Sequence, residues 1–280
     1  MVARLIKLSV SSVVFLRDRI REALIKRDKL GKCVVLNYHV IPDDCRHRFE
    51  QQMRSLRKLA RPVPALRRQA FDRGARYVAV TFDDAFCNFA RNALPALIQH
   101  RIPVAIFVPT GYLGRKSAWS DYGGENPIGD EVLSVQQLIE IAKCDLVEVG
   151  SHTVNHADLV ILDEKEARAE LRGSKETLET LLGRSISGVA FPYGHFGKRE
   201  LRLAREVGYN FIFSVRPDLV VSAFKDGLIG RVSVQPTDWP IEFRFKILGA
   251  YRWQGCVSEW KQKVLGLLGH RILARGKAGE

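Results

Sequence analysis

The chain reads as an α/β protein, a distorted (β/α) barrel of about seven strands with amphipathic helices at both termini. Three observations lead there. Short apolar, β-branched runs alternate with longer segments of helical periodicity along most of the 280 residues. The runs are apolar at nearly every position rather than at alternate ones, which is the pattern of parallel strands covered on both faces. About seven such strand–helix units occur, more than an open sheet usually needs. Neither a Pro/Gly/Ser-rich linker nor an internal repeat divides the chain, so its 46% hydrophobic residues serve one large domain.

Residues 1–30 are expected to form a basic amphipathic helix, because Leu5, Leu8, Val13, Leu16, Ile20 and Leu24 recur at helical spacing. The apolar stretch Leu8 to Leu16 contains three serines and ends in Arg17-Asp18-Arg19. No small-residue cleavage site follows, which argues against a cleaved signal peptide. The stretch is also far short of the ~20 apolar residues that a spanning helix needs. Residues 31–239 are expected to be the main domain. Its strands are read at 33–38 (CVVLNY), 77–82 (YVAVTF), 104–108 (VAIFV), 146–149 (LVEV), 188–191 (GVAF), 210–215 (NFIFSV) and 229–234 (IGRVSV). Its helices are read near 49–60, 88–100, 134–143, 163–182 and 198–207. Helical patterns at 240–250 and 257–274, the latter with Val257, Trp260, Val264, Leu267 and Leu268, make a basic C-terminal extension over 240–280.

Charge placement says more than the net value of +13. Residues 1–30 and 240–280 each hold eight Lys/Arg against three Asp/Glu, so the two ends carry 10 of the 13 net charges. The charge lies on amphipathic ends and not on a recognition motif, so no nucleic-acid partner is expected. The ends are either solvated helices packed on the domain or a peripheral contact with an anionic membrane. The five cysteines (Cys33, Cys45, Cys87, Cys144, Cys256) are odd in number and form no C-x-x-C. They read as small buried residues rather than disulfides or zinc thiolates, and they favour a reducing compartment. The expected location is therefore cytoplasmic, with a peripheral place on the inner membrane face or export as the alternatives.

In a parallel barrel, reactive groups gather where strands end. Tyr38-His39 end the first strand and Asp83-Asp84 the second, while Ser151-His152 follow the fourth and Pro192-Tyr193-Gly194 the fifth. Taken alone, Asp83-Asp84 is as well a helix cap, and the pair His152 and His156 as well structural. Their convergence on one rim favours a shared site. One carboxylate with two imidazoles makes the incomplete shell of a catalytic divalent ion and leaves a second carboxylate as a base, which reads as a metal-dependent hydrolase. A glycosidase is disfavoured, because it needs two carboxylates flanking the sugar bond at a set separation. The longest loop, Gly111–Asp130, carries Tyr112, Trp119 and Tyr122, whose rings either stack on sugar or pack the loop.

The segments Thr81-Phe82-Asp83-Asp84, Ser151-His152-Thr153-Val154-Asn155-His156 and Phe191-Pro192-Tyr193-Gly194 resemble, in order and spacing, three successive motifs of the polysaccharide deacetylases. This is the NodB-homology group, carbohydrate esterase family 4, and the resemblance covers roughly residues 31–235. It implies a distorted (β/α) barrel acting on an N-acetylated glycan or lipid-linked sugar. Asp84, His152 and His156 would hold the metal, most naturally Zn2+, with Co2+ or Ni2+ also fitting. Asp83 would be the general base, and the Tyr193 backbone N–H would bind the oxyanion.

Two departures stand out. Amide hydrolysis needs an acid for the leaving amine. The family usually takes it from a histidine near the C-terminal end of the domain, where this chain reads Leu228-Ile229-Gly230-Arg231-Val232-Ser233. The run Val35-Leu36-Asn37-Tyr38-His39-Val40-Ile41 resembles instead the first-strand motif of the circularly permuted poly-N-acetylglucosamine deacetylases, and so implies His39 as the acid. Many members also place Arg two residues before the motif proline, where this chain has Ala190. Arg231 is the candidate for orienting Asp83 in its place. Tyr193, Pro192, Trp119 and Arg231 make up the expected substrate-side residues. The alternatives are a catalytically silent carbohydrate-binding relative, motivated by the two departures, and a deformylase or O-deacetylase of a lipid-linked sugar.

Overall fold

A computed structural model describes residues 2–24, 31–119, 130–217 and 227–255. The helical pattern at 257–274, Tyr122 and Cys256 lie outside the described residues. The strands are β1 (Lys32–Tyr38), β2 (Arg61–Pro62), β3 (Arg76–Phe82), β4 (Val104–Val108), β5 (Val147–Ser151), β6 (Gly188–Ala190), β7 (Phe211–Ser214), β8 (Leu228–Gly230) and β9 (Val232–Ser233). The helices are α1 (Val2–Leu24), α2 (Arg46–Leu59), α3 (Leu94–Gln99), α4 (Val135–Ile141), α5 (Glu164–Leu182), α6 (Lys198–Val207) and α7 (Pro240–Ile247).

The strand pairings are all parallel, and the path runs β8-β7-β6-β5-β4-β3-β1-β9, with β2 added on β3. The two ends of that path are neighbours in sequence, since only Arg231 separates β8 from β9. β8 pairs with β7 and β9 pairs with β1, so one short stretch closes the barrel. The strand expected at 229–234 is therefore two strands broken at Arg231, which makes eight on the path rather than seven. β2 is the other unexpected strand; two residues ending in proline carry no periodicity signal.

Alternation along the strands sorts the core into two layers. Cys33, Val35, Ala79, Ala105, Phe107, Ala190, Phe213 and Ile229 fill the barrel interior. Val34, Leu36, Tyr38, Val78, Val80 and Phe82 face outward against the helices. Successive strand side chains point to opposite faces. Odd-numbered positions of β1 and β3 thus point inward, and the same series reaches Asn37, Thr81 and Asp83 at the upper end. The four cysteines among the described residues are free thiols, and burial pushes Cys33 up to about 12.

Where one helix was expected over 88–100, a wide turn at Phe89–Ala93 precedes α3. Pro95 has no N–H to offer the preceding turn, so the helical ladder is interrupted there. α1 packs on α7 through Phe15 and Phe245, whose ring centroids are 5.2 Å apart. Among the described residues, no helix is long and apolar enough to cross a membrane.

Interior space is tight where the rings lie. A Cβ built on Gly150 of β5 would sit 2.5 Å from the Phe107 ring, which is itself held against Phe213 at 4.9 Å. Gly150→Ala is expected to destabilise the fold by about 1–3 kcal/mol through overpacking, read as a lower urea midpoint with an unchanged slope.

Candidate metal centre and active site

Asp83 continues the inward-facing series of β3, and Arg231 points inward from the break between β8 and β9. They meet in a bidentate pair, with Arg231 Nη1 donating to Asp83 Oδ1 at 2.7 Å and Nη2 to Oδ2 at 2.8 Å. The remaining donors are also engaged. Nη1 reaches Asn37 Oδ1 at 2.9 Å and Thr81 Oγ1 at 3.2 Å, and Nε donates to the Ser214 carbonyl at 3.2 Å. Asn37 Nδ2 donates in turn to Asp83 Oδ2 at 3.0 Å. The guanidinium lies 5.4 Å from the Phe107 ring centroid and 5.7 Å from that of Phe213. Such a fork holds a carboxylate in one orientation, which a lysine would not. Burial alone would raise the Asp83 pKa. The charges of Arg231, His152 and His39 and the Arg231 hydrogen bond together outweigh it and keep the carboxyl well below the usual range. Arg231 is 0% exposed, so its expected place among substrate contacts is corrected: its donors are spent inside the barrel.

Asp84, His152 and His156 come together beside this pair, each with one ligand atom, all within 4.8 Å of one another. Asp84 Oδ1 is 3.3 Å from His156 Nε2 and 3.7 Å from His152 Nε2. His152 Nδ1 lies 2.8 Å from the Ala190 carbonyl. A carbonyl only accepts, so Nδ1 carries the hydrogen and Nε2 turns its lone pair toward Asp84. Burial, reinforced by His156 and opposed by Asp83 and Asp84, pulls the His152 pKa down to about 4, so the ring is neutral near pH 7. Burial likewise works against ionised Asp84, but the neighbouring imidazoles hold its pKa below the ordinary value. Neither of its buried carboxylate oxygens accepts a hydrogen bond. A buried carboxylate without donors, facing two imidazoles, is costly unless a cation sits among them. One oxygen and two nitrogen donors fit a divalent transition ion. His39 is on the same rim, with Nε2 3.7 Å from Asp83 Oδ2.

The backbone here is unusual. Of six non-glycine residues with positive φ among the described residues, five are Asp84, Ala85, Thr153, His156 and Tyr193. Each such residue costs on the order of 1–3 kcal/mol and persists only where its surroundings over-determine it. Those surroundings can be named. Glu170 of α5 accepts from the backbone N–H of Val154 at 2.9 Å and of Asn155 at 2.8 Å, clamping the turn between the two histidines. Gly111 N–H donates to the Val154 carbonyl at 2.8 Å, and Ser151 Oγ bonds Ser174 Oγ at 2.8 Å.

Trp119 stacks on His156, with centroids 4.1 Å apart and planes 10° from parallel, and Tyr112 meets the indole edge-on at 4.7 Å. At 8% exposure Trp119 offers no free face to a sugar, and Pro192 is buried too, so both expected substrate contacts are instead supports of the site. The Tyr193 ring lies edge-on to His156 at 4.9 Å. Asn37 and Glu170 were not anticipated. Asn37 shares the inward parity of Asp83 and could have been found from it; Glu170 lies mid-helix and has no sequence signal.

Removing Arg231 leaves the Asp83 charge buried. Arg231→Met is therefore expected to lower stability by about 3–5 kcal/mol, with Arg231→Met/Asp83→Asn recovering much of it, since the pair and its neutral replacement differ little. Urea denaturation of the three proteins measures this. The linkage sign follows from the depressed Asp83 pKa. Its contribution is present above the ordinary carboxylate pKa and is lost as pH falls through the folded value, so the wild-type advantage over the double variant shrinks in acid.

A family profile described as polysaccharide deacetylase matches residues 71–212. A poly-beta-1,6-N-acetyl-D-glucosamine N-deacetylase of Staphylococcus aureus is 27% identical over 188 residues, which span 64% of this chain but only 59% of that protein. The solved structure of IcaB from Ammonifex degensii superposes with a TM-score of 0.63 at 27% identity, covering 77% of this chain and 97% of that one. A polysaccharide deacetylase from Bacillus cereus shares the fold, with a TM-score of 0.64 at 23% identity over 80% of this chain and 70% of its own. Since the profile takes in more than half of the chain, both strands that carry the aspartates and the histidines among it, the protein belongs to the polysaccharide deacetylase family.

Proposed function

We propose that the chain removes an N-acetyl group from an amino sugar within a polysaccharide, oligosaccharide or lipid-linked glycan, in the manner of the poly-N-acetylglucosamine deacetylases it resembles. The observation that carries this reading is the division of labour between adjacent aspartates. Asp83 is locked in the Arg231 fork, and Asp84 is turned by its positive φ toward two imidazoles. Two contacts support an active rather than a silent site: Arg231 pairs with Asp83, the part proposed for it in place of the motif arginine, and His39, the proposed acid, lies 3.7 Å from Asp83.

In the proposed reaction, Asp83, kept ionised, takes a proton from water as its oxygen bonds to the acetamide carbon. The Tyr193 backbone N–H, aimed by its positive φ, donates to the oxygen that becomes negative. His39 passes a proton to the amine nitrogen as the C–N bond breaks, leaving acetate and a free amino sugar. A divalent ion on Asp84, His152 and His156, most naturally zinc, would supply Lewis-acid polarisation and lower the pKa of water. Desolvation strengthens the interactions of Asp83, Asp84, His152 and His156, which are all buried.

Mass spectrometry of N-acetylglucosamine oligomers after incubation is expected to show loss of one acetyl group, absent with Asp83→Asn and after chelation. His39→Ala is expected to lower turnover by about 10²–10⁴-fold with metal content unchanged. Intact turnover in His39→Ala would reject the acid assignment, and absence of acetate release by any oligomer or lipid-linked sugar would reject the reaction.

A further inference from the structure

α1 is apolar on two faces. The face that meets the domain packs Leu8, Val14 and Phe15 on the core and adds three polar contacts: Arg4 Nε donates to Glu242 at 2.7 Å, Trp253 Nε1 to Ser11 at 3.0 Å and Arg252 Nη2 to Asp18 at 2.7 Å. The opposite face carries Val2, Ile6, Val13, Leu16, Ile20 and Leu24, each between 49% and 78% exposed. Successive helical steps bring these six within an arc of about 80°, along a helix about 33 Å long. A contiguous apolar face of this extent marks an interaction surface.

Its flanks identify the occupant. Exposed Arg17 and Arg21 flank the stripe on one side and Arg19 on the other. Among the described side chains of α1 the one acid, Asp18, is turned inward onto Arg252. Two copies packed stripe to stripe would bring these cation rows together, and like charges across an interface are costly. An anionic lipid surface takes both features at once, with the apolar side chains below the headgroups and the Lys and Arg stems reaching up to the phosphates. We propose that α1 lies flat in the interfacial layer of an anionic bilayer and holds the protein on it. The proposal is independent of the deacetylase reading.

Flotation of the full chain tests it, using vesicles of phosphatidylcholine alone or with phosphatidylglycerol. Wild type is expected to float with the anionic vesicles and at least about tenfold less with the neutral ones. Val13→Glu/Leu16→Glu should lower binding about tenfold or more, and Arg17→Gln/Arg21→Gln severalfold, both with wild-type melting temperature. If the Glu variant melts early, the Gln variant decides. Equal flotation of wild type and variants would overturn the proposal. So would a wild-type dimer that Val13→Glu/Leu16→Glu dissolves, together with no vesicle binding by either protein.

Discussion

The buried fork between Arg231 and Asp83 is the constraint on which the architecture and the site both depend. Arg231 is the single residue between the two short strands that close the barrel, so the residue that joins β7 to β1 also orients the candidate base. A guanidinium cannot be left alone in a barrel lined by Phe107 and Phe213 without a large desolvation cost. The closing stretch must therefore find Asp83, and with it Asn37 and Thr81 on the first and second major strands. Closure of the fold and assembly of the site are one event. Arg231 follows inward-facing Ile229 by two residues, so strand alternation turns its side chain inward.

Much of this was legible in the sequence because parallel strands announce themselves as continuous apolar runs. β4 falls where its run of five apolar residues ends, and the rim position of His39, Asp83 and His152 follows from being next in sequence. The pairing of Arg231 with Asp83 was legible as a vacancy at Ala190 that some cation had to fill. The split of the last strand was not, since a strand interrupted at one inward residue has the same composition as a continuous one. Trp119 illustrates another limit. An aromatic ring in a loop beside a sugar site has the same sequence signature whether it faces the sugar or the histidine behind it. Its place against His156 is settled by packing with Tyr112 and Phe86. Glu170 was illegible for a different reason: its value lies in two backbone N–H groups that become donors only once the histidine turn is folded.

Rigidity at the site is built from strain and from the contacts that hold it. Five positive-φ residues within three short segments could not persist on exposed loops. Here the segments are fastened to neighbours: the aspartate turn through Asp83 to Arg231 and Asn37, the histidine turn to Glu170, Gly111 and the Trp119 stack, and the Tyr193 ring edge-on to His156. Ala190 contributes through its carbonyl, which fixes the tautomer of His152. Ala190, with no polar side chain of its own, thus acts on the site through its main chain.

α1 also has a direction. Its first turn reaches Thr237, beyond the end of β9, while Phe15, Asp18 and Arg19 lie near Lys32 and Arg76, where β1 and β3 begin. The helix therefore lies along the barrel wall, from the rim that bears the aspartates toward the opposite end. A barrel resting on that wall is a cylinder on its side, with its mouth opening parallel to the plane beneath it. On the proposed bilayer placement and the proposed reaction, a glycan would be met edgewise, and reach would be set by lateral diffusion in two dimensions rather than by descent from bulk solution.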